Sequence, residues 1–403
     1  AFGPVSHSRL KQCCGVLARR NRHGGLAAMS DARGRKRVIG SVPPASPGRW
    51  DDVEALRAYL AWLGHNLSRQ DLVEAAAASA LFDVHYSERW YGDAAANACS
   101  GDLLGEMCEA VGCKHQWVIG QSFGEMWQTL AERVERGQPT IVGGMMPGDL
   151  PGTSRCGDYH LFVGYESANG DARAALCGHE GEGPVVWTHL PTALGRPHSW
   201  QARVRCLSVA PNVWAARPML IVEPTDKPSS IGTVELALTN LRRAVLAARQ
   251  NEGPTGYWRL WSGLRALEQW AHDIENYPQE IELRPEHERG FPLTNITLTL
   301  SAQLEARRRQ AARYLRNIRH LLPRDAKVAV CQASMHCDTT ARLLVDFREL
   351  LFGTAPTHET EETGRRNLMN RPTRLSAAVL LRQVVSEEEA MVSSLEHVFS
   401  VMQ

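Results

Sequence analysis

The chain has 403 residues, and this length favours two domains rather than one. Hydrophobic residues make up 43% and charged residues 22%, a composition typical of a soluble globular protein. Lys and Arg together number 45 and Asp and Glu 44, so the overall charge gives no reason to expect nucleic acid or an anionic membrane as a partner. No apolar run is long enough to cross a bilayer, and no secretory signal is evident at the N-terminus.

The ten cysteines occur at irregular spacings, and no pair has the CxxC spacing of a metal or redox motif. Several of them lie inside apolar or helical patterns, which favours reduced thiols and a cytoplasmic location over a disulfide framework. Cys331, His336 and Cys337 are ligand types suited to zinc. On one helix, however, their side chains would not converge, so we expect neither a metal nor a cofactor.

Three regions are predicted along the chain. Residues 1–48 form an irregular basic leader that is interrupted by glycines and prolines, and Met29 could be a natural start within it. Residues 49–225 form the first domain. Residues 230–403 form the second, and the boundary falls where two prolines interrupt the chain.

The first domain combines helices with mostly antiparallel strands, and this order predicts an α+β fold. Asp51 and Asp52 place negative charge at a helix N-terminus, where the charge favours the helix dipole. The helix-like segments are residues 51–63, 70–79, 101–111 and 123–136. The strand-like segments are residues 115–119, 139–145, 159–165, 173–177, 184–188, 202–209 and 218–222.

The second domain carries apolar residues at helical spacing and is predicted to be all helical. Its helices are predicted over residues 235–250, 255–277, 294–322, 325–352, 376–385 and 386–401. Ser386 and Glu389 have the spacing of a capping box, which predicts that the last helix begins there.

Two features of the helical domain bear on its packing. Trp258, Trp261 and Trp270 lie at helical spacing, and we expect them to pack against the first domain. The basic run at residues 307–309 is interpreted as part of solvated helix faces rather than as a phosphate site.

Residues 137–166 hold the candidate site. They read GQPTIVGGMMPGDLPGTSRCGDYHLFVGYE, in which a buried strand is followed by a Gly/Pro-rich loop and then by a strand that opens with His160. A histidine in this position can face a cleft and move protons near neutral pH. The alternative interpretation is a lone histidine that is satisfied by local hydrogen bonds.

The order of helices, a strand opening with His160 and a hairpin resembles the papain-like cysteine peptidase fold in its bacteriocin-leader-peptidase variety. The chain is most similar to the N-terminal domain of the butirosin biosynthesis protein H type, whose members also carry a helical C-terminal domain. The matching pieces are residues 51–72, 135–144, 158–166 and 255–271. The resemblance implies a papain-like N-terminal domain with an antiparallel sheet, followed by an all-α domain.

The chemistry of this family needs a cysteine at the N-terminus of the first helix, a histidine that takes the thiol proton and an acidic or amide residue that orients the histidine. His160 matches the histidine. The matching helix starts with Trp50 and Asp51 instead of cysteine, and the position of the orienting residue is open to Glu180. Asp51 beside His160 would form an ion pair that raises the histidine pKa, unlike a poised thiolate–imidazolium pair.

These departures leave several functions open. One is a catalytically lapsed member that binds a peptide or a small metabolite, such as a carrier-bound acyl group. Another is an active hydrolase or acyltransferase in which an unidentified thiol works with His160. Cys156 is close in sequence, but it lies on the loop before the same strand, so we do not expect it to face His160. A third is a metal site made by His160, Cys177 and His179, although neighbouring strand residues point to opposite faces.

Overall fold

The computed structural model describes residues 35–40, 42–43, 52–86, 102–119, 123–143, 159–168, 171–177, 185–189, 201–203, 214–216, 218–250, 261–277, 293–354 and 360–402. The strands are β1 (Arg35–Val38), β2 (His85–Tyr86), β3 (Cys113–Val118), β4 (Thr140–Gly143), β5 (Tyr159–Ala168), β6 (Asp171–Cys177), β7 (Val185–His189), β8 (Gln201–Arg203), β9 (Trp214–Ala216), β10 (Met219–Pro224) and β11 (Trp261–Ser262). The helices are α1 (Asp52–Trp62), α2 (Leu103–Ala110), α3 (Phe123–Glu135), α4 (Val234–Arg249), α5 (Gly263–Asn276), α6 (Leu293–Ile318), α7 (Arg324–Phe352), α8 (Thr360–Met369) and α9 (Arg371–Val401).

Seven strands form one antiparallel sheet in the order β3-β10-β4-β5-β6-β7, with β1 paired to the later part of β5. The remaining described strands form two small pairs, β2 with β11 and β8 with β9. With the helical region after residue 233, this sheet confirms the predicted α+β class. Among the helices that the structure describes, none is both long and apolar enough to cross a membrane.

The two faces of the sheet are covered by different helices. Tyr159, Leu161 and Val163 alternate along β5 and pack in one core with buried residues of α1. Phe162 and Tyr165 belong to a second core with α3, where Trp127 contacts both rings edge-on. The two-residue period from Tyr159 to Val163 is the ordinary pattern of a strand buried on both faces. The register shift between Phe162 and Gly164 interrupts this period, and Tyr165 lies on the face of Phe162 although it is three residues further along.

The helical region is built around three long helices, α6, α7 and α9, which pack against one another. Asn370 caps α9 by accepting a hydrogen bond from the Thr373 N–H, and proline occupies the first turn. The capping box predicted at Ser386 is wrong, because α9 continues through that residue without a break. Glu389 instead binds Arg249 of α4 with two hydrogen bonds.

Residues 71–86 pack against elements of both regions. They were predicted to include a helix over residues 70–79, but a π-helical turn at Asp71–Ala76 and a 3-10 turn at Ala78–Leu81 replace it. The reason is that this segment is packed between α2 and helices of the second region, so its backbone follows those contacts rather than its own helical period. Asn240 of α4 donates to the Ala75 carbonyl, and Tyr86 donates to Asp273 of α5.

The tryptophans of the helical region contact this segment as expected. Trp270 is fully buried and its ring lies 6.5 Å from that of Tyr86 in a stacked arrangement. Trp261 pairs with Tyr86 in the β2–β11 ladder, whereas Trp258 lies outside the described residues. Burial of such rings supplies roughly 25 cal/mol for each Å² removed from water, so this contact joins the two regions firmly.

The arginine run at residues 307–309 was interpreted as part of solvated helix faces, but its middle residue, Arg308, is not solvated. Arg308 is fully buried and binds Glu388 of α9 through two hydrogen bonds of 2.5 and 2.8 Å. The same guanidinium donates to the carbonyls of Leu81 and Phe82. Only a tertiary ion pair of this kind makes burial of an arginine tolerable, and periodicity alone does not reveal it.

Candidate functional site

Several strand ends meet at one edge of the sheet, where β5 begins. Gly143 at the end of β4 pairs with Tyr159 at the start of β5. Met219, the first residue of β10, pairs with both Val142 and Val118 near the ends of their strands. The segments that leave these ends, including residues 144–158, therefore start from the same edge as His160. We name it the β5 edge.

Helix α1 also begins toward the β5 edge. The Tyr59 hydroxyl donates to the Val222 carbonyl at 2.7 Å, beyond the middle of β10, and burial raises the Tyr59 pKa to about 12. His65, just after the helix, lies 3.8 Å from the Cys113 thiol at the opposite edge of the sheet. Because a helix rises about 1.5 Å per residue, its first residue, Asp52, must lie toward the β5 edge. Asp51 precedes it directly but lies outside the described residues.

His160 is buried, with 3% of its surface exposed. It pairs with Val142, and cross-strand partners share one face of a sheet. Val142 and Phe162 both pack in the core beneath α3, so the alternation along β5 directs His160 to that face. Helix α1 covers the other face. An approach between Asp51 and His160 would therefore have to take place around the β5 edge and not across the sheet.

Cys177 ends β6 close to the same edge. It is buried in the core under α1, and its thiol donates to the Pro43 carbonyl at 3.2 Å. The contact places Pro43 at this strand end. Glu180 follows three residues later and His179 two residues later, and both lie outside the described residues.

Three of the five described thiols do not have the environment of an activated nucleophile. Burial raises the pKa of the Cys108 and Cys113 thiols, and it does the same for Cys337. A raised pKa keeps a thiol protonated and unreactive at neutral pH. Cys13, Cys14 and Cys156, by contrast, lie outside the part of the chain that the structure describes.

A polar cluster beside this site was missed in the sequence. Asp102 is the N-cap of α2, and its carboxylate accepts hydrogen bonds from the Gly105 N–H at 3.0 Å, His115 Nε2 at 3.1 Å and Trp117 Nε1 at 2.9 Å. The rings of Trp117 and Tyr159 are in edge-on contact, with their centroids 6.1 Å apart, so the cluster reaches the residue before His160. The available signals were the cap residue before α2 and the alternation of His115 and Trp117 along β3.

The charges of this cluster reinforce each other. Burial alone would raise the pKa of Asp102, but the three hydrogen bonds, led by that from His115, lower it. The bond to Asp102 raises the pKa of His115, against the opposing effect of burial. The pair therefore favours a protonated His115 beside an ionised Asp102. Such an ion pair holds α2 on β3, whereas a protonated histidine cannot act as a base.

A second polar cluster lies at the junction of the two regions. His85 Nδ1 is 3.0 Å from the Ser262 hydroxyl, and His85 Nε2 is 4.0 Å from the Asp83 carboxylate. The residue types are those of a hydrolytic triad. His85 is 1% exposed and Ser262 is fully buried, so neither side chain is accessible to solvent in this structure.

The described residues contain no group of three or more His, Cys, Asp or Glu side chains that could hold a metal ion. No protein-family model matches the chain, and no curated protein matches it. Any assignment of this chain to a family or a reaction must therefore be argued from its own sequence and structure.

Proposed function

We propose that this chain has a papain-like first domain, related to the peptidase and acyltransferase domains of peptide or natural-product biosynthesis. We further propose that it lacks the cysteine nucleophile and binds a peptide or a small metabolite at the β5 edge. The site would comprise His160 with Asp51 and Glu180. Asp51 stands where the family has its cysteine, and the carboxylate could act as a base toward a bound water.

The observation that carries the proposal is the convergence at the β5 edge. The start of β5 at His160 and the end of β6 at Cys177 lie at this edge. The contacts of Tyr59 and His65 indicate that α1 runs away from the same edge, so we infer that its first residue lies toward it. These are the three places from which the family draws its cysteine, its histidine and its orienting residue. A fold can keep such a cleft after the nucleophile is lost, because fold and function separate readily.

The alternative function is an active cysteine-dependent hydrolase or acyltransferase. It requires an unidentified thiol within reach of His160; Cys156 precedes the same strand, which disfavours a facing geometry. Cys177 is a poor candidate, because its thiol is buried under α1 and donates to a backbone carbonyl.

Thiol alkylation distinguishes the two functions. The full chain is treated with iodoacetamide at neutral pH, and the modified cysteines are followed over time by peptide mass spectrometry. Under the proposal no cysteine reacts faster than a free thiol, and His160→Ala leaves every rate unchanged.

His115→Ala is the matched control, since it removes a second histidine from the same sheet. If one cysteine reacts fast and His160→Ala alone abolishes that reaction, a Cys–His pair exists and the lapsed-enzyme proposal is wrong. If both variants slow the reaction equally, the effect comes from loss of structure, and thermal melting of the two variants will show it.

A further inference from the structure

A strip of exposed side chains runs from the end of α8 along the first turns of α9. Its apolar members, Met369, Leu375 and Val379, are 50%, 37% and 49% exposed. These are three of the seven large apolar side chains that are exposed in the described part of the chain. Leu375 and Val379 are four residues apart and therefore share one face of α9, with Arg371 one turn before them. We name these four residues and Arg366 the α8–α9 strip.

The α8–α9 strip is locally basic although the chain as a whole is nearly neutral. Residues 363–386 hold five arginines and no aspartate, glutamate or lysine. Three of the five are bound within the protein, namely Arg365, Arg374 and Arg382. Arg366 and Arg371 are exposed, and neither has an ion-pair partner among the residues that the structure describes.

The strip is the outward face of a packed helix. Ala377, Ala378 and Leu381 turn inward to a core shared with α5 and α7, so Leu375 and Val379 cannot be turned into that core without unwinding α9. Aliphatic side chains with free guanidinium groups beside them suit a surface that is apolar inside and anionic at its boundary. Guanidinium groups bind phosphate oxygens in a forked geometry, and their stems can stay in an apolar layer.

We propose that the α8–α9 strip docks on an anionic membrane surface. Met369, Leu375 and Val379 enter the boundary between headgroups and acyl chains, and Arg366 and Arg371 bind lipid phosphates. An acidic protein surface is the other chemistry that would fit the charge. The membrane is favoured because three apolar side chains, one at the end of α8 and two on one face of α9, are few for a specific protein interface, which buries about 800 Å² on each partner. A lipid surface needs no complementary shape.

Vesicle sedimentation tests the proposal with the full chain. Phosphatidylcholine vesicles are compared with vesicles in which one third of the lipid is phosphatidylserine, at low and at physiological salt. We expect binding to the anionic vesicles only, and weaker binding as salt rises. Removal of both free charges by Arg366→Gln and Arg371→Gln should lower the partition coefficient roughly 25-fold, since each arginine near the surface contributes about fivefold.

Two further variants separate docking from general surface effects. Leu375→Asn with Val379→Asn should weaken binding to anionic vesicles while the melting temperature stays close to that of the wild type. Leu246→Asn changes a side chain of α4 that is 65% exposed and lies outside the strip, so it should leave binding unchanged.

The proposal is overturned if the wild type fails to sediment with anionic vesicles at low salt, and an acidic protein surface then becomes the candidate occupant. It is equally overturned if the strip variants bind as well as the wild type does, or if Leu246→Asn weakens binding as much as they do.

Discussion

Replacing Arg308 by Met should strongly destabilise the protein. The guanidinium is fully buried, and it binds Glu388 as well as the carbonyls of Leu81 and Phe82. Without it, a carboxylate that is 2% exposed loses its counter-charge, a change that typically costs about 3–5 kcal/mol. Two carbonyls also lose a donor, at about 1 kcal/mol each. We therefore expect the free energy of unfolding to fall by about 5–7 kcal/mol.

Urea unfolding followed by tryptophan fluorescence measures this loss. Arg309→Met is the matched control, because the neighbouring arginine is 59% exposed and forms a surface pair with Glu305; its effect should stay within about 1 kcal/mol. The double variant Arg308→Met with Glu388→Leu removes the stranded charge and should recover at least about 2 kcal/mol. If Arg308→Met costs less than Arg309→Met, or if the double variant is no more stable than the single one, the reasoning about the buried pair is refuted.

Two predictions concern the cluster around Asp102. The pKa of Asp102 is lowered by folding, so its ionised form stabilises the protein above about pH 4, and this stability is lost as the pH falls through the pKa of the folded state. The pKa of His115 is raised by folding, so its protonated form stabilises the protein fully below about pH 6.5, and this stability is lost as the pH rises through the pKa of the folded state. The pair should therefore stabilise the protein most between about pH 4 and about pH 6.5, the limits just given. Asp102→Asn should flatten the pH dependence of the melting temperature and lower the His115 pKa in an NMR titration. An unchanged His115 titration would contradict the hydrogen bond. Gly105→Ala should cost about 1–3 kcal/mol in urea unfolding, because a Cβ would lie 2.4 Å from both Asp102 Oδ2 and His115 Nε2; a variant as stable as the wild type would show that this contact relaxes freely.

The sequence was most informative where one period repeats over a long element. The helices α4, α6 and α7 and the strand from Tyr159 follow from apolar spacing, because burial of one face or of both determines that spacing. Helix α8 was not among the predicted helices, and the helix predicted over residues 255–277 begins only at Gly263, after β11. Residues 71–81 were mispredicted because their backbone conformation depends on contacts with distant helices. The break predicted at Ser386 was wrong because a capping signal does not end a helix whose apolar face continues.

The candidate site was accessible to sequence reasoning only in part. His160 was identified from its place after a glycine-rich loop, but the face to which its side chain points depends on the strand register. Its expected partners, Asp51 and Glu180, lie outside the described residues, so those roles stay predictions. The Asp102–His115 pair joins residues of a helix cap and a strand, and a sequence pattern carries no direct information about such a pairing.

The dependence of residues 71–86 on the helical region has a consequence for synthesis of the chain. Leu81 meets the side chain of Arg308, which is 227 residues further along, and Tyr86 meets Asp273, which is 187 residues further along. At translation rates of about 5–20 residues per second, Leu81 leaves the ribosome roughly 10–45 seconds before its partner is made. During that interval Leu81 and Phe82 can meet α4 but not α6, α7 or α9, and Tyr86 lacks its partners until α5 is made. A nascent chain that stops before α5 would expose apolar side chains of this segment. They would bind a chaperone or aggregate before their partners were made.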